Sequence, residues 1–333
     1  MKEVVFQKDS TYSLRGICML LIVLHHVYQY TASRYGVSYP LPLAVIFQSF
    51  GYLATGVFFL LSGYGLTFSM NKQESITLQY VLSQMLKLYK PFLLIWFVSS
   101  LVDLLFFNEN DLISLMANAT TLNLIGGGSF WFLKEIFIVY LCTLLIFSFI
   151  RDNKYRVAVI LMSITTFVIV GKWMGMGDHW LNSIVCFPIG MCCFYSLEQI
   201  VKINTVFSGS ILVLLFVMAF LGRFIVGTTA LSNEATLSVV KLMMQIVSVG
   251  ALSLYAIRLV SMINVKNSIL SYLGTNSLCV YLYHLYFLSV FSFIDDVWLY
   301  VLVSLVCTIM LTLIYGQLKD RVLIVDNYTK IFK

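Results

Sequence analysis

Residues 14–30 read LRGICMLLIVLHHVYQY, an apolar run that opens on a leucine and Arg15 and carries two adjacent histidines, His25 and His26. At helical pitch the 11 positions from Arg15 to His26 make about three full turns. These two side chains therefore share a helix face, and His25 is turned well away from it. The rise between them is roughly 16 Å, about half of a ~30 Å hydrocarbon layer. With Arg15 at one membrane edge, His26 lies near mid-depth. An ionisable group at that depth is costly and needs a partner, a cavity or a function.

The rest of the chain fits a membrane setting. Of 333 residues, 60% are hydrophobic and only 11% are charged, and the mean hydropathy is +0.92. So few polar side chains cannot cover a soluble globule, which excludes that class. Apolar stretches long enough to span as helices lie near 14–31, 43–69, 85–107, 131–150, 156–173, 180–197, 206–226, 236–257, 269–293 and 297–317. The expected fold is all-α: a polytopic membrane protein of ten helices forming one membrane domain over residues 1–333.

Lysine and arginine alternate between the loops. One side carries Lys72, Lys87, Lys90, Arg151, Lys154, Arg156, Lys202, Arg258, Lys266 and both terminal segments, and the other only Arg34, Lys172 and Arg223. By the positive-inside rule both termini are expected in the cytoplasm. The same asymmetry accounts for the net charge of +6, so nucleic acid is not an expected partner, and membrane lipid is. The segment before Leu14 is too polar for a signal-peptide core, so the first span is expected to be retained. All seven cysteines sit in apolar stretches without metal-ligand spacing, and no metal is expected. Residues 108–130 are expected to form the longest outer loop, ending in Gly126-Gly127-Gly128.

Four further places carry chemistry, each with a plainer reading beside it. In the ninth span Ser277, Tyr281 and His284 share a face at i, i+4 and i+7, which also suits a polar stripe between packed helices. Glu135, in Phe130-Trp131-Phe132-Leu133-Lys134-Glu135, is an acid inside a span and must face a cavity or a cation. Trp131 and Lys134 beside it fit an interfacial anchor and a snorkelling cation. Lys87 and Lys90, at the expected cytoplasmic entrance of the third span, offer two charges on one face to phosphates or to anionic lipid. Ser62-Gly63-Tyr64-Gly65 leaves room either for close helix packing or for an extended ligand.

Taken in order, these segments resemble the acyltransferase 3 family of integral membrane acyltransferases. The matching stretches are Leu14-Arg15-Gly16 with His26, Gly56 to Tyr64, Lys87-x-x-Lys90, Trp131-Phe132-Leu133, and Leu273 to Ser277 with Tyr281 and His284. The family's pattern of a basic residue, ten positions and a histidine falls on Arg15 and His26. Its Arg-x-x-Arg pattern falls on two lysines, which keep the charge and lose the bidentate fork. The resemblance implies transfer of an acyl group, usually acetyl, from cytoplasmic acyl-CoA to a hydroxyl of a cell-surface carbohydrate or lipid-linked saccharide in a bacterial plasma membrane. It implies His26 as general base, with Glu135 and His284 on the acceptor side. Arg15, Lys87, Lys90, Ser62 and Gly63 would then serve the donor. A transporter or flippase for a small anion or lipid-linked glycan is the competing class. Against it stands the absence of repeated halves and of paired Gly/Pro-broken helices in the sequence. A structural subunit of a polysaccharide-synthesis complex is the third reading.

Overall fold

The structure is a computed structural model and describes residues 8–106, 112–123, 130–196, 205–228, 234–262 and 267–331. Most of these residues are helical, and no strand occurs among them. In chain order the helices are α1 Lys8–Tyr35, α2 Leu41–Met70, α3 Leu78–Phe106, α4 Leu112–Thr120, α5 Trp131–Phe149, α6 Asn153–Trp173 and α7 Asp178–Leu181. They continue with α8 Cys186–Tyr195, α9 Thr205–Thr228, α10 Glu234–Met262, α11 Ser268–Thr275, α12 Ser277–Val290 and α13 Val297–Ile331. Residues 126–128, the expected glycine end of the outer loop, lie outside the described residues.

Among the described residues seven helices are long and apolar enough to cross a membrane. They are α1, α2, α3, α5, α6, α10 and α13. The expected seventh and ninth spans contain shorter apolar helices, Phe207–Gly222 and Ser277–Phe293. The expected sixth span, 180–197, is interrupted: α7 ends at Leu181 and α8 begins at Cys186. Non-helical backbone is tolerable at such a place only if protein surrounds it and supplies hydrogen bonds. Asn182, Ser183 and Ile184 are buried there. Asn182 donates to Gln245 of α10 (2.9 Å), and Ser183 donates to the Tyr52 carbonyl of α2 (2.9 Å). The ninth span is interrupted as well, between Thr275 and Ser277. The breaks fall on residues 182–185 and on Asn276 rather than on Gly or Pro, so a search for Gly- or Pro-broken helices has no signal for them. The expected outer loop also contains a helix, α4, tied to α3 by the Tyr89 hydroxyl, which donates to the Ala119 carbonyl (3.3 Å).

Two glycine crossings hold the bundle. A Cβ on Gly16 would strike the Leu270 backbone of α11, and one on Gly274 would strike the Tyr12 backbone of α1. The same reciprocity joins α2 to α8, where Gly63 meets the Phe187 carbonyl and Gly190 meets the Leu60 carbonyl. Backbone approach of this kind is open only to glycine, and it is a main source of helix association in lipid. Buried hydroxyls on the same helices bond their own preceding turn, as Thr55 does to Gly51 and Thr67 to Gly63 (both 2.7 Å), so they add no unpaired donor.

Gly190→Val should therefore lower the thermal midpoint of the detergent-purified protein, at a cost of about 1–3 kcal/mol or more from overpacking. Gly65→Ala, with nothing within 4 Å of the added methyl, should leave that midpoint unchanged or raise it.

Candidate functional site

A cavity of about 220 Å³ lies between α1, α2, α5 and the α11–α12 break, closed on one side by Leu88 of α3. Its α1 wall is Arg15, Met19 and Ile22, one helical face by spacing. His26 continues that face one turn beyond Ile22. The α12 wall is Ser277, Leu278 and Tyr281, and His284 continues it in the same sense. The two faces converge on the histidines, whose ring centroids are 5.2 Å apart. Arg15 and His26 are part-buried, and His284 is fully buried.

The convergence follows from the glycine crossing. Gly16 and Gly274 meet at backbone contact, and each precedes its histidine by ten positions, 16 to 26 and 274 to 284. Parallel helices rising at similar pitch bring both side chains to one height, roughly 15 Å above the crossing.

Hydrogen bonds determine the imidazole states. His284 Nδ1 lies 2.7 Å from the Val280 carbonyl. A carbonyl only accepts, so Nδ1 carries the hydrogen, and the lone pair of the neutral ring is on Nε2. That Nε2 is buried and has no hydrogen-bond partner among the described residues, as is true of His26 Nδ1. His25 belongs to a different contact. Its Nδ1 donates to the Phe47 carbonyl (2.9 Å), and its ring packs over Gly51 of α2, although the His26 ring is also near, at 5.0 Å.

Glu135 is buried at 3% exposure. Neither carboxylate oxygen has a hydrogen-bond partner among the described residues, and Tyr281 lies within electrostatic reach. Its neighbours Phe132 and Ile136 line the cavity, as does Tyr140, which approaches Ser62 within hydrogen-bonding range. Tyr140 escaped the sequence reading. Its signal was the series Phe132, Ile136, Tyr140 at i, i+4 and i+8 on one face of α5.

The residues expected to serve the donor separate. Arg15 and Ser62 line the cavity. Gly63 does not: its open side is filled by the Phe187 carbonyl, so its missing side chain serves packing. Lys87 and Lys90 are exposed and stand off the cavity wall, and Lys87 donates to Gln84 (3.1 Å). They lie in the third and fourth turns of α3 rather than at its entrance, because the helix starts at Leu78, seven residues before the expected span. Among the described residues no group of three His, Cys, Asp or Glu side chains is arranged to hold a metal ion.

If the cavity is open to water, Ser277→Cys should react with a small polar thiol reagent in a protein whose Cys142, Cys192 and Cys307 are replaced by alanine. The remaining buried thiols, Cys18, Cys186, Cys193 and Cys279, should stay silent on the same timescale, as mass spectrometry of the labelled protein would record.

No curated protein and no solved structure matches the chain. The sequence pattern of the acyltransferase 3 family, described as an acyltransferase domain, matches residues 13–316 and so takes in the Arg15 cavity and both histidines. The chain belongs to the acyltransferase 3 family and is a multi-pass membrane acyltransferase.

Proposed function

We propose that the protein transfers an acyl group, acetyl in the simplest case, from cytoplasmic acyl-CoA to a hydroxyl of a cell-surface carbohydrate or lipid-linked saccharide. The observation that carries this reading is the convergence of the Arg15–Ile22 face and the Ser277–Tyr281 face on His26 and His284. It supports a donor arm lying along the cavity with its thioester toward the histidines. The charge asymmetry of the loops supports both termini in the cytoplasm, and the family resemblance supports a bacterial plasma membrane as the setting.

In the proposed reaction His26 takes the proton of the acceptor hydroxyl as its oxygen attacks the thioester carbonyl. The carbon–sulfur bond breaks as the ester forms, and the imidazolium returns the proton to the leaving thiolate. The electrons and the proton balance without any metal. His284, with its lone pair on Nε2, supports the transient positive charge on His26. Glu135 sits beside Tyr281 to orient the acceptor.

Arg15 attracts the donor's phosphates and Ser62 contacts its arm. Lys87 and Lys90, on the open side of α3, extend that positive field outward. Gly63 acts only by letting α8 close against α2. Broken helices also occur in transporters, and slow hydrolysis of acetyl-CoA by the purified protein separates the two classes, since a transporter has no reason to cleave it.

The test uses glycan from cells expressing wild-type protein or His26→Ala at matched membrane levels, scored for ester-linked acetyl by mass before and after mild alkali. Alkali-labile groups should be present with the wild type and lost with the variant. Esters in both would remove His26 as the base, and esters in neither would remove the carbohydrate acceptor. With purified protein His26→Ala should reduce transfer by about 10²–10⁴-fold. Lys87→Ala/Lys90→Ala should raise KM for acyl-CoA several-fold with little change in kcat, as loss of uniform binding requires.

A further inference from the structure

A second cavity has a volume of about 570 Å³. It is lined by Tyr89 of α3, by Thr120, Thr121 and Leu122 at the end of α4, and by Lys134, Phe137 and Ile138 of α5. None of these residues lines the first cavity. We infer that this niche binds an anionic phospholipid, with its phosphate on Lys134 and an acyl chain along the α5 face below it.

The polar end is built. The turn after α4 folds back through Asn123, whose N–H donates to the Asn118 carbonyl (2.8 Å), and Leu122 adopts a left-handed backbone conformation with φ 56° while its side chain is buried. This brings Asn123 Oδ1 to 2.6 Å from Lys134 Nζ. The contact fixes the ammonium and uses one of its three hydrogens. Among the described residues no carboxylate is paired with Lys134, yet Lys134 lies in a helix apolar enough to span the membrane. The two remaining N–H groups suit a phosphate. The Thr120 and Thr121 hydroxyls are already donating to Ala117 and Met116 carbonyls, so the charge of the lysine is the main attraction.

The apolar end points to a lipid rather than to a soluble anion. Lys134, Ile138, Leu141 and Leu145 follow one another at i, i+4, i+7 and i+11 on a single face of α5. The three apolar members are 58%, 37% and 44% exposed. The stripe runs roughly 16 Å from the lysine, about the depth of one leaflet's hydrocarbon. A cation at the head of an exposed leaflet-length apolar stripe matches the charge and the shape of one phospholipid. Tyr89 and Phe137, with ring centroids 6.4 Å apart, wall the niche.

Native mass spectrometry of the detergent-purified protein, titrated separately with phosphatidylglycerol and phosphatidylethanolamine, tests this independently of any acyl transfer. The wild type should retain one phosphatidylglycerol more tightly than the zwitterionic lipid. Lys134→Gln should weaken that binding by about fivefold, the effect of one basic residue near a lipid headgroup. Lys134→Arg should retain it, which separates loss of charge from misfolding. Lys72→Gln, removing a lysine that lies over Phe68 elsewhere (4.1 Å), should have no effect. Equal weakening by Lys134→Gln and Lys72→Gln, or equal retention of the two lipids by the wild type, would overturn the site. A polyprenyl phosphate that binds there while phosphatidylglycerol does not would overturn the phospholipid assignment.

Discussion

The contact between Gly16 and Gly274 sets the register on which the site depends. Side chains would hold α1 and α11 apart, whereas two glycines let the Tyr12 and Leu270 backbones take the space that Cβ atoms would occupy. Ser13 and Ser271 add a hydroxyl contact at the same level (2.9 Å). From that fixed point the helical rise carries His26 and His284 to a common height. A slip of one residue would rotate His26 by about 100° off the shared face. The crossing of α2 with α8 through Gly63 and Gly190 performs the same service for Ser62, the neighbour that faces the cavity.

Both helix interruptions sit where they serve the interior. The break between α7 and α8 is buried and satisfied by Asn182, Ser183, Gln245 and the Tyr52 carbonyl, so it stiffens the junction of three elements. The break between α11 and α12 instead presents Thr275 and Ser277 to the Arg15 cavity. Asn276 there donates both its backbone N–H and its side-chain amide to the Tyr272 carbonyl (both 3.1 Å). Irregular backbone at membrane depth is tolerated where protein or a water-filled cavity surrounds it. The first break is surrounded by protein, and the second borders the cavity.

Helical spacing made much of the site legible. Arg15 and His26 share a face because their separation is close to three turns, and Ser277, Tyr281 and His284 do so by the same arithmetic. The signal weakens where one residue type serves two ends. Gly63 is consistent with a ligand groove or with a helix crossing, and only the Phe187 carbonyl opposite it decides for the crossing. Lys87 and Lys90 marked a helix entrance only because hydropathy starts counting at the apolar part of α3. The helix itself begins at Leu78, in a polar-flanked segment that helix formers such as Leu, Gln and Met sustain.

The sequence by itself determined the membrane setting, the all-helical class, most of the long helices and the faces on which Arg15, His26, Tyr281 and His284 stand. These properties follow from composition and from the 3.6-residue period, which are local. Which faces meet, where helices break on Asn and Ser, and that α4 folds against α3 beside Lys134 were decided by tertiary structure. Those outcomes depend on backbone approach and hydrogen bonds between residues far apart in the chain, 258 positions in the case of Ser13 and Ser271. No periodicity within a single helix carries that information.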